Sequence, residues 1–213
     1  MKCEISIRIT FPDDITRVLR EEKQRYIAEY GSSYKSEPHI TLYLDSYTEE
    51  GYPKLLEELR PLRIKPFTIS LLPPEVRHEE NRRRNLYVME VSNKEQIRVL
   101  RNEITKLADP YRSPFIREKT NERLEREGIH TDGTRANYEM LRPPQDDFDP
   151  HITLGEIPFE KPQADIEESR KNLTSIEGRE ITVSSVSVSL YGKKEGAEKY
   201  ELVEEVKVPL VAE

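Results

Sequence analysis

The sequence predicts a mixed fold of helices and strands, arranged as two similar lobes about a pseudo-two-fold axis. Two observations predict it. The pentapeptide Pro38-His39-Ile40-Thr41-Leu42 returns residue for residue as Pro150-His151-Ile152-Thr153-Leu154. Around each copy the hydrophobic patterning gives the same order of strand, helix, motif strand, helix and strand, as a diverged internal repeat would. A chain of 213 residues is long enough for one large domain or two small, closely packed lobes. The expected organisation is one bilobal unit over 1–213, with lobe one at about 1–74 and lobe two at about 85–213.

The elements follow in order. Cys3, Ile5, Ile7 and Ile9 alternate with polar residues, the mark of a half-buried strand. Pro12-Asp13-Asp14 opens a helix, where a proline is tolerated and carboxylates suit the positive end of the dipole. Ile15, Val18, Leu19 and Ile27 form its apolar stripe, and Gly31 closes it. A polar loop over 31–37 leads to the first motif strand, His39 to about Asp45. A second helix from Pro53 to Arg60 is bounded by Pro61 and Pro66. Phe67 to Leu72 reads as a strand stopped by Pro73-Pro74, and the charged stretch Glu75 to Asn85 as the connection between halves.

Leu86 to Val91 is the next strand. The helix after it, about Lys94 to Leu107, carries Ile97, Leu100, Ile104 and Leu107 at helical spacing and ends at Asp109-Pro110. After the second motif come a helix of about Gln163 to Leu173, a strand from Glu180 to Tyr191 with a slip at Ser184-Ser185 that reads as a bulge, and a last strand from Tyr200 to Val208. Lys2 to His39 spans 37 positions and Leu86 to His151 spans 65, so the second half carries about 28 extra residues. They fall within 111–149, rich in Arg, Glu and Pro. This insert reads as a short helix around Lys119 to Glu127 within either a mobile flap near the cleft or a disordered surface excursion.

Composition narrows the class of function. Apolar and charged residues each make up 35%, and no apolar run approaches the length of a membrane span. The first ten residues alternate like a strand and lack the apolar stretch of a signal peptide. The one cysteine, Cys3, excludes an internal disulfide and suits a reducing compartment, so a cytoplasmic protein is expected. A net charge of −7 argues against coating long duplex nucleic acid, which needs clustered Lys and Arg, but permits a short or end-recognised nucleotide substrate in a locally basic cleft. Arg82-Arg83-Arg84, beside His78, is the densest basic cluster and reads as a solvated loop.

The repeated motif carries the chemistry. On an extended strand His39 and Thr41 share one face while Ile40 and Leu42 share the other, and the same holds for His151, Thr153, Ile152 and Leu154. A core strand gains nothing from an imidazole and a hydroxyl opposite its apolar side. Two imidazoles facing each other across a cleft suit proton transfer at both ends of one reacting bond, because histidine titrates near neutral pH. In-line displacement at phosphorus makes that demand: a base for the incoming water, an acid for the departing oxygen, and donors for the phosphate oxygens, here Thr41 and Thr153. No HExxH, cysteine pair, GxSxG elbow or glycine-rich phosphate loop occurs, so neither metal nor cofactor is expected. Tyr43, two residues beyond Thr41, is a candidate to stack on a base, and Tyr191 and Lys193 are candidates to hold a base and a phosphate. His78 and His130 are left out of the site.

The paired PHITL motifs at 38–42 and 150–154 resemble the H-x-[ST] signatures of the two-histidine (2H) phosphoesterase superfamily, which includes the RNA 2′,3′-cyclic phosphodiesterases also called 2′-5′ RNA ligases. The resemblance implies an α+β fold of two pseudo-symmetric lobes, with antiparallel sheets lining a central cleft and helices outside. It assigns the catalytic roles to His39, Thr41, His151 and Thr153, without a metal. It implies a cyclic phosphodiesterase acting on RNA ends or nucleotides, and a monomer is expected. Family substrates also include 2′-5′ oligonucleotides and ADP-ribose cyclic phosphate, and ligation uses the same site in reverse. The long insert departs from the compact members and bears on substrate identity more than on chemistry. The rival of another class is a non-catalytic nucleotide-binding module that keeps the cleft.

Overall fold

The structure, a computed structural model, describes residues 2–60, 62–141, 148–161, 164–194, 196–197 and 199–212. Eight strands are described: β1 (Lys2–Ile9), β2 (Ile40–Tyr47), β3 (Phe67–Glu79), β4 (Arg84–Val91), β5 (His151–Pro158), β6 (Glu180–Val183), β7 (Ser185–Lys193) and β8 (Glu201–Pro209). The helices are α1 (Asp13–Tyr30), α2 (Gly51–Leu59), α3 (Lys94–Ala108), α4 (Glu118–Arg126), α5 (Arg135–Leu141) and α6 (Ile166–Leu173). The strands form two antiparallel four-stranded sheets, β2-β1-β7-β8 and β5-β4-β3-β6, so each motif strand is the edge strand of its own sheet.

The local reasons match the sequence. The apolar face of β1 is buried throughout, with Cys3, Ile5, Ile7 and Ile9 each at most 2% exposed. Helix α1 starts after Pro12 and stops where Gly31 takes the left-handed conformation (φ 70°), a turn that residues with a Cβ adopt only at a cost. In α3, Ile97, Leu100, Ile104 and Ala108 form the buried stripe. Ile40, Leu42, Ile152 and Leu154 are buried in the core, which leaves the histidine and threonine of each motif on the opposite face.

Strand exchange departs from the division at 1–74 and 85–213. Beyond α2 the chain crosses to the second sheet as β3, and beyond α6 it adds β6 there before returning to the first sheet as β7 and β8. The slip at Ser184-Ser185 is therefore this crossing between sheets rather than a bulge in one strand. The helices cross over as well: α1 packs against β5 of the second sheet and α3 against β2 of the first.

Pro73-Pro74 does not end β3. The register with β4 slips between Leu71 and Pro74, so the prolines fall at a bulge where the ladder asks for no N–H, and the strand runs on to Glu79. Its first half pairs with β6 and its second half with β4. The stretch read as a charged connection is thus mostly sheet, followed by a short 3-10 turn at Glu80–Arg82. The expected helix start at Gln163 lies outside the described residues.

Where it is described, the insert lies beside the cleft, as the flap reading expects, and is fastened to the first sheet. Its Arg112 bridges to Tyr47, and the Ser113 N–H donates to the Ser46 carbonyl, extending the edge of β2. Arg135 pairs with Asp45 at 2.7 Å, Arg117 with Glu4 at 2.8 Å and Lys193 with Glu118 at 2.7 Å. Residues 142–147 lie outside the described set.

Candidate active site

The two motif strands approach each other across a cleft of about 710 Å3 whose lining includes His39, Thr41, His151 and Thr153. The two motifs are built alike. The Nδ1 of His39 lies 2.6 Å from the carbonyl of Glu37, and that of His151 lies 2.8 Å from the carbonyl of Asp149. A carbonyl only accepts, so each Nδ1 carries a proton and each Nε2 is the atom left to take or give one. The Thr41 hydroxyl donates to the Nε2 of His39 at 3.0 Å.

The surroundings differ. Burial holds His39 well below its ordinary value, at about 4, and the cations Arg8 and Lys23 and the facing His151 push the same way, against the Glu37 carbonyl. His151 is also lowered, by burial first and by Arg77, but the Asp149 carbonyl and the carboxylates of Glu90 and Asp149 pull it back up. Arg77 approaches the His151 Nδ1 to 3.0 Å. Two N–H groups cannot donate to each other, so with the Nδ1–H donating to the Asp149 carbonyl the contact is one of charge. Arg77 itself is held by Glu90, by Asp149 at 2.6 Å and by Glu75 at 3.3 Å.

The three peripheral candidates fare differently. Tyr43 reaches the cleft wall, but its ring is 9% exposed within the core. Its hydroxyl donates to Asp109 at 3.3 Å and accepts from Tyr47 at 3.1 Å, so its packing leaves little face for a base. Tyr191 and Lys193 are not in the cleft lining. Through β1, Tyr191 is level with Ser46, five residues beyond Thr41, or roughly 17 Å along the strand. There the insert covers the sheet, and Lys193 is spent on Glu118.

Sequence reasoning missed Arg77 and the insert residues Arg112, Glu139 and Phe148 of the lining, and Lys23, which is buried behind it on the Thr153 carbonyl. Arg77 was hidden by reading Pro73-Pro74 as a stop, since period-two counting through the bulge would have placed it on a strand. Of the basic cluster, Arg82 lines the cleft, while Arg83 pairs with Glu160 and Arg84 with Glu79 and Glu156. His78 hydrogen-bonds Asn85 at 2.7 Å and stacks on Phe159, outside the cleft. Among the described residues, no group of three or more His, Cys, Asp and Glu side chains is placed to hold a metal, and no helix is long and apolar enough to cross a membrane.

The model of the 2′-5′ RNA ligase superfamily matches residues 11–195. The chain belongs to this superfamily. Its fold is shared by solved structures at low identity. Escherichia coli LigT complexed with phosphate is 14% identical with a TM-score of 0.55, over 99% of this chain and 98% of that one. LigT complexed with 3′-AMP is 15% identical with a TM-score of 0.53, over 98% and 99%. TT0787 of Thermus thermophilus is 16% identical with a TM-score of 0.51, over 96% and 97%. A sequence comparison with curated proteins finds no match. In this 2′-5′ RNA ligase superfamily member the two PHITL motifs, at 38–42 and 150–154, both lie within the matched residues.

Proposed function

We propose that the protein is a metal-independent phosphodiesterase that opens 2′,3′-cyclic phosphates, or cleaves a related 2′ linkage, on RNA ends or nucleotides. The observation that carries this reading is the matched pair of histidines in one cleft, each with Nδ1–H fixed on a carbonyl two residues back and Nε2 left for proton transfer. Cations stand near both: Arg8 and Lys23 around His39, and Arg77 beside His151. Positive charge of this kind, with threonine hydroxyls on both sides, favours a phosphate group and the charge it gathers at in-line displacement. Crystals of LigT with phosphate and with 3′-AMP support a ligand of that class.

In this reaction a water oxygen bonds to phosphorus while one histidine takes its proton. The bond to one ribose oxygen breaks, and the other histidine gives that oxygen its proton. His39, Thr41, His151 and Thr153 suffice for these transfers, and no cofactor takes part. The cleft also carries the carboxylates Asp45, Asp109 and Glu139 on its insert side, which favours a short substrate over a long polyanion.

The test is hydrolysis of the four 2′,3′-cyclic nucleotides and of a short RNA ending in a 2′,3′-cyclic phosphate, in excess EDTA from pH 5 to 9, with 2′- and 3′-phosphate products separated. A bell-shaped, EDTA-resistant rate supports the reading. A rate abolished by EDTA and restored by a divalent metal overturns it.

A further inference from the structure

Lys23 lies on α1, a helix that belongs in sequence to the first half but packs on the motif strand of the second. Its side chain is buried, with the residue 3% exposed. The ammonium donates to the carbonyl of Thr153 at 3.3 Å and lies 4.6 Å from the centre of the Tyr34 ring. Among the described residues no carboxylate forms an ion pair with it, although Glu37 is near enough to act on its charge. Glu37 is instead bound by Arg20 at 2.8 Å. Isolated buried charge is costly, and a carbonyl with one aromatic face is partial compensation.

The cost has a use at this position. Thr153 and Tyr34 both line the cleft, and the ammonium acts electrostatically on His39. The other cations near the histidines are engaged: Arg8 with Ser189 and Glu205, and Arg77 with Glu90, Asp149 and Glu75.

We propose that Lys23 is a positioning residue of this site: its buried ammonium, anchored on the Thr153 carbonyl and against the Tyr34 ring at the cleft wall, adds positive potential at His39 and where the phosphoryl group binds. His39 faces Arg8 on β1, Lys23 on α1 and His151 on β5, while the neighbours of His151 are Arg77 and the carboxylates Glu90 and Asp149. Around Lys23 itself stand Tyr34 and Glu37 of the loop before β2, His39 beside β2 and the Thr153 backbone on β5. Burial lowers its own proton affinity to about 8, so the ammonium is present through neutral pH and is lost above it.

The proposal rests on the phosphodiesterase reading for the identity of the ligand, so its test needs no turnover. Imidazole nitrogen and carbon shifts of His39 and His151 are followed by NMR from pH 7.5 to 3.5 in the wild type, Lys23→Met and Lys23→Arg. Wild-type His39 is expected to stay neutral down to about pH 5 and to titrate near 4, to titrate at least about half a pH unit higher in Lys23→Met, and to remain low in Lys23→Arg. His151 should move less. If Lys23→Met does not fold, Lys23→Gln keeps an N–H for the Thr153 carbonyl and removes the charge. Identical His39 titration with and without the charge overturns the proposal. Absence of cyclic phosphate hydrolysis together with the expected shift leaves it standing and counts against the phosphodiesterase reading instead.

Discussion

The proton affinity of His39 makes stability depend on pH in a way a single substitution isolates. In the folded chain His39 is held at about 4, against about 6.5 for an exposed histidine. The folded state therefore favours the neutral imidazole, and the unfolded chain binds the extra proton first. The contribution is present in full above 6.5 and is lost as pH falls towards 4. At 1.36 kcal/mol for each pH unit, the loss across that window is about 3 kcal/mol. His39→Asn keeps a donor for the Glu37 carbonyl and removes the titrating ring. Urea unfolding at pH 7.5, 6, 5 and 4.5 is expected to show the wild type losing most of this increment relative to the variant, with the gap opening below pH 6.5. His151, lowered in the same direction, adds to the loss in both proteins, so the comparison reads the part that belongs to His39 and its coupling to His151. Parallel stability curves for the two proteins would refute the claim that burial and the neighbouring cations hold His39 neutral.

Two further outcomes test the scaffold. A Cβ at Gly155 would sit 2.7 Å from the buried ring of Tyr26, so Gly155→Ala is expected to cost about 1–3 kcal/mol in urea unfolding, and a neutral effect would contradict the close packing of α1 on β5. Asp45→Asn removes the carboxylate that Arg135 contacts at 2.7 Å and Arg112 at 3.7 Å, which should loosen the insert and speed limited trypsin cleavage within 112–141 about tenfold while the sheets stay intact. Unchanged cleavage would show that backbone pairing to β2 alone fastens this segment.

The features legible in the sequence were those with local causes. Alternation around Ile5 and Ile7, the stripe of Ile97, Leu100 and Ile104, and the Asp13-to-Gly31 helix boundaries each depend on a few adjacent residues, and the elements lie where they point. The paired motifs named His39, Thr41, His151 and Thr153, and the fold brings all four into one cleft. What escaped depends on contacts distant in sequence. Whether Ser184 marks a bulge or a passage between sheets is decided by partners more than a hundred residues away, Ile69 for Ile181 and Ile7 for Val188. Pro73-Pro74 is compatible with a strand only because the pairing slips there. Lys23 looks like any polar residue on a surface helix until α1 is laid on β5. Tyr191 and Lys193 carried the right chemistry, but β7 sets them level with the covered end of β2.

The most direct measurement of the two-histidine mechanism is the rate of 2′,3′-cyclic phosphate hydrolysis in EDTA by the wild type, His39→Ala and His151→Ala, with folding of each verified by its urea transition at pH 7.5. Both variants are expected to fold and to lose at least about 100-fold in kcat, because each removes one of the two proton-transfer groups. Full activity in either folded variant would contradict catalysis by the pair.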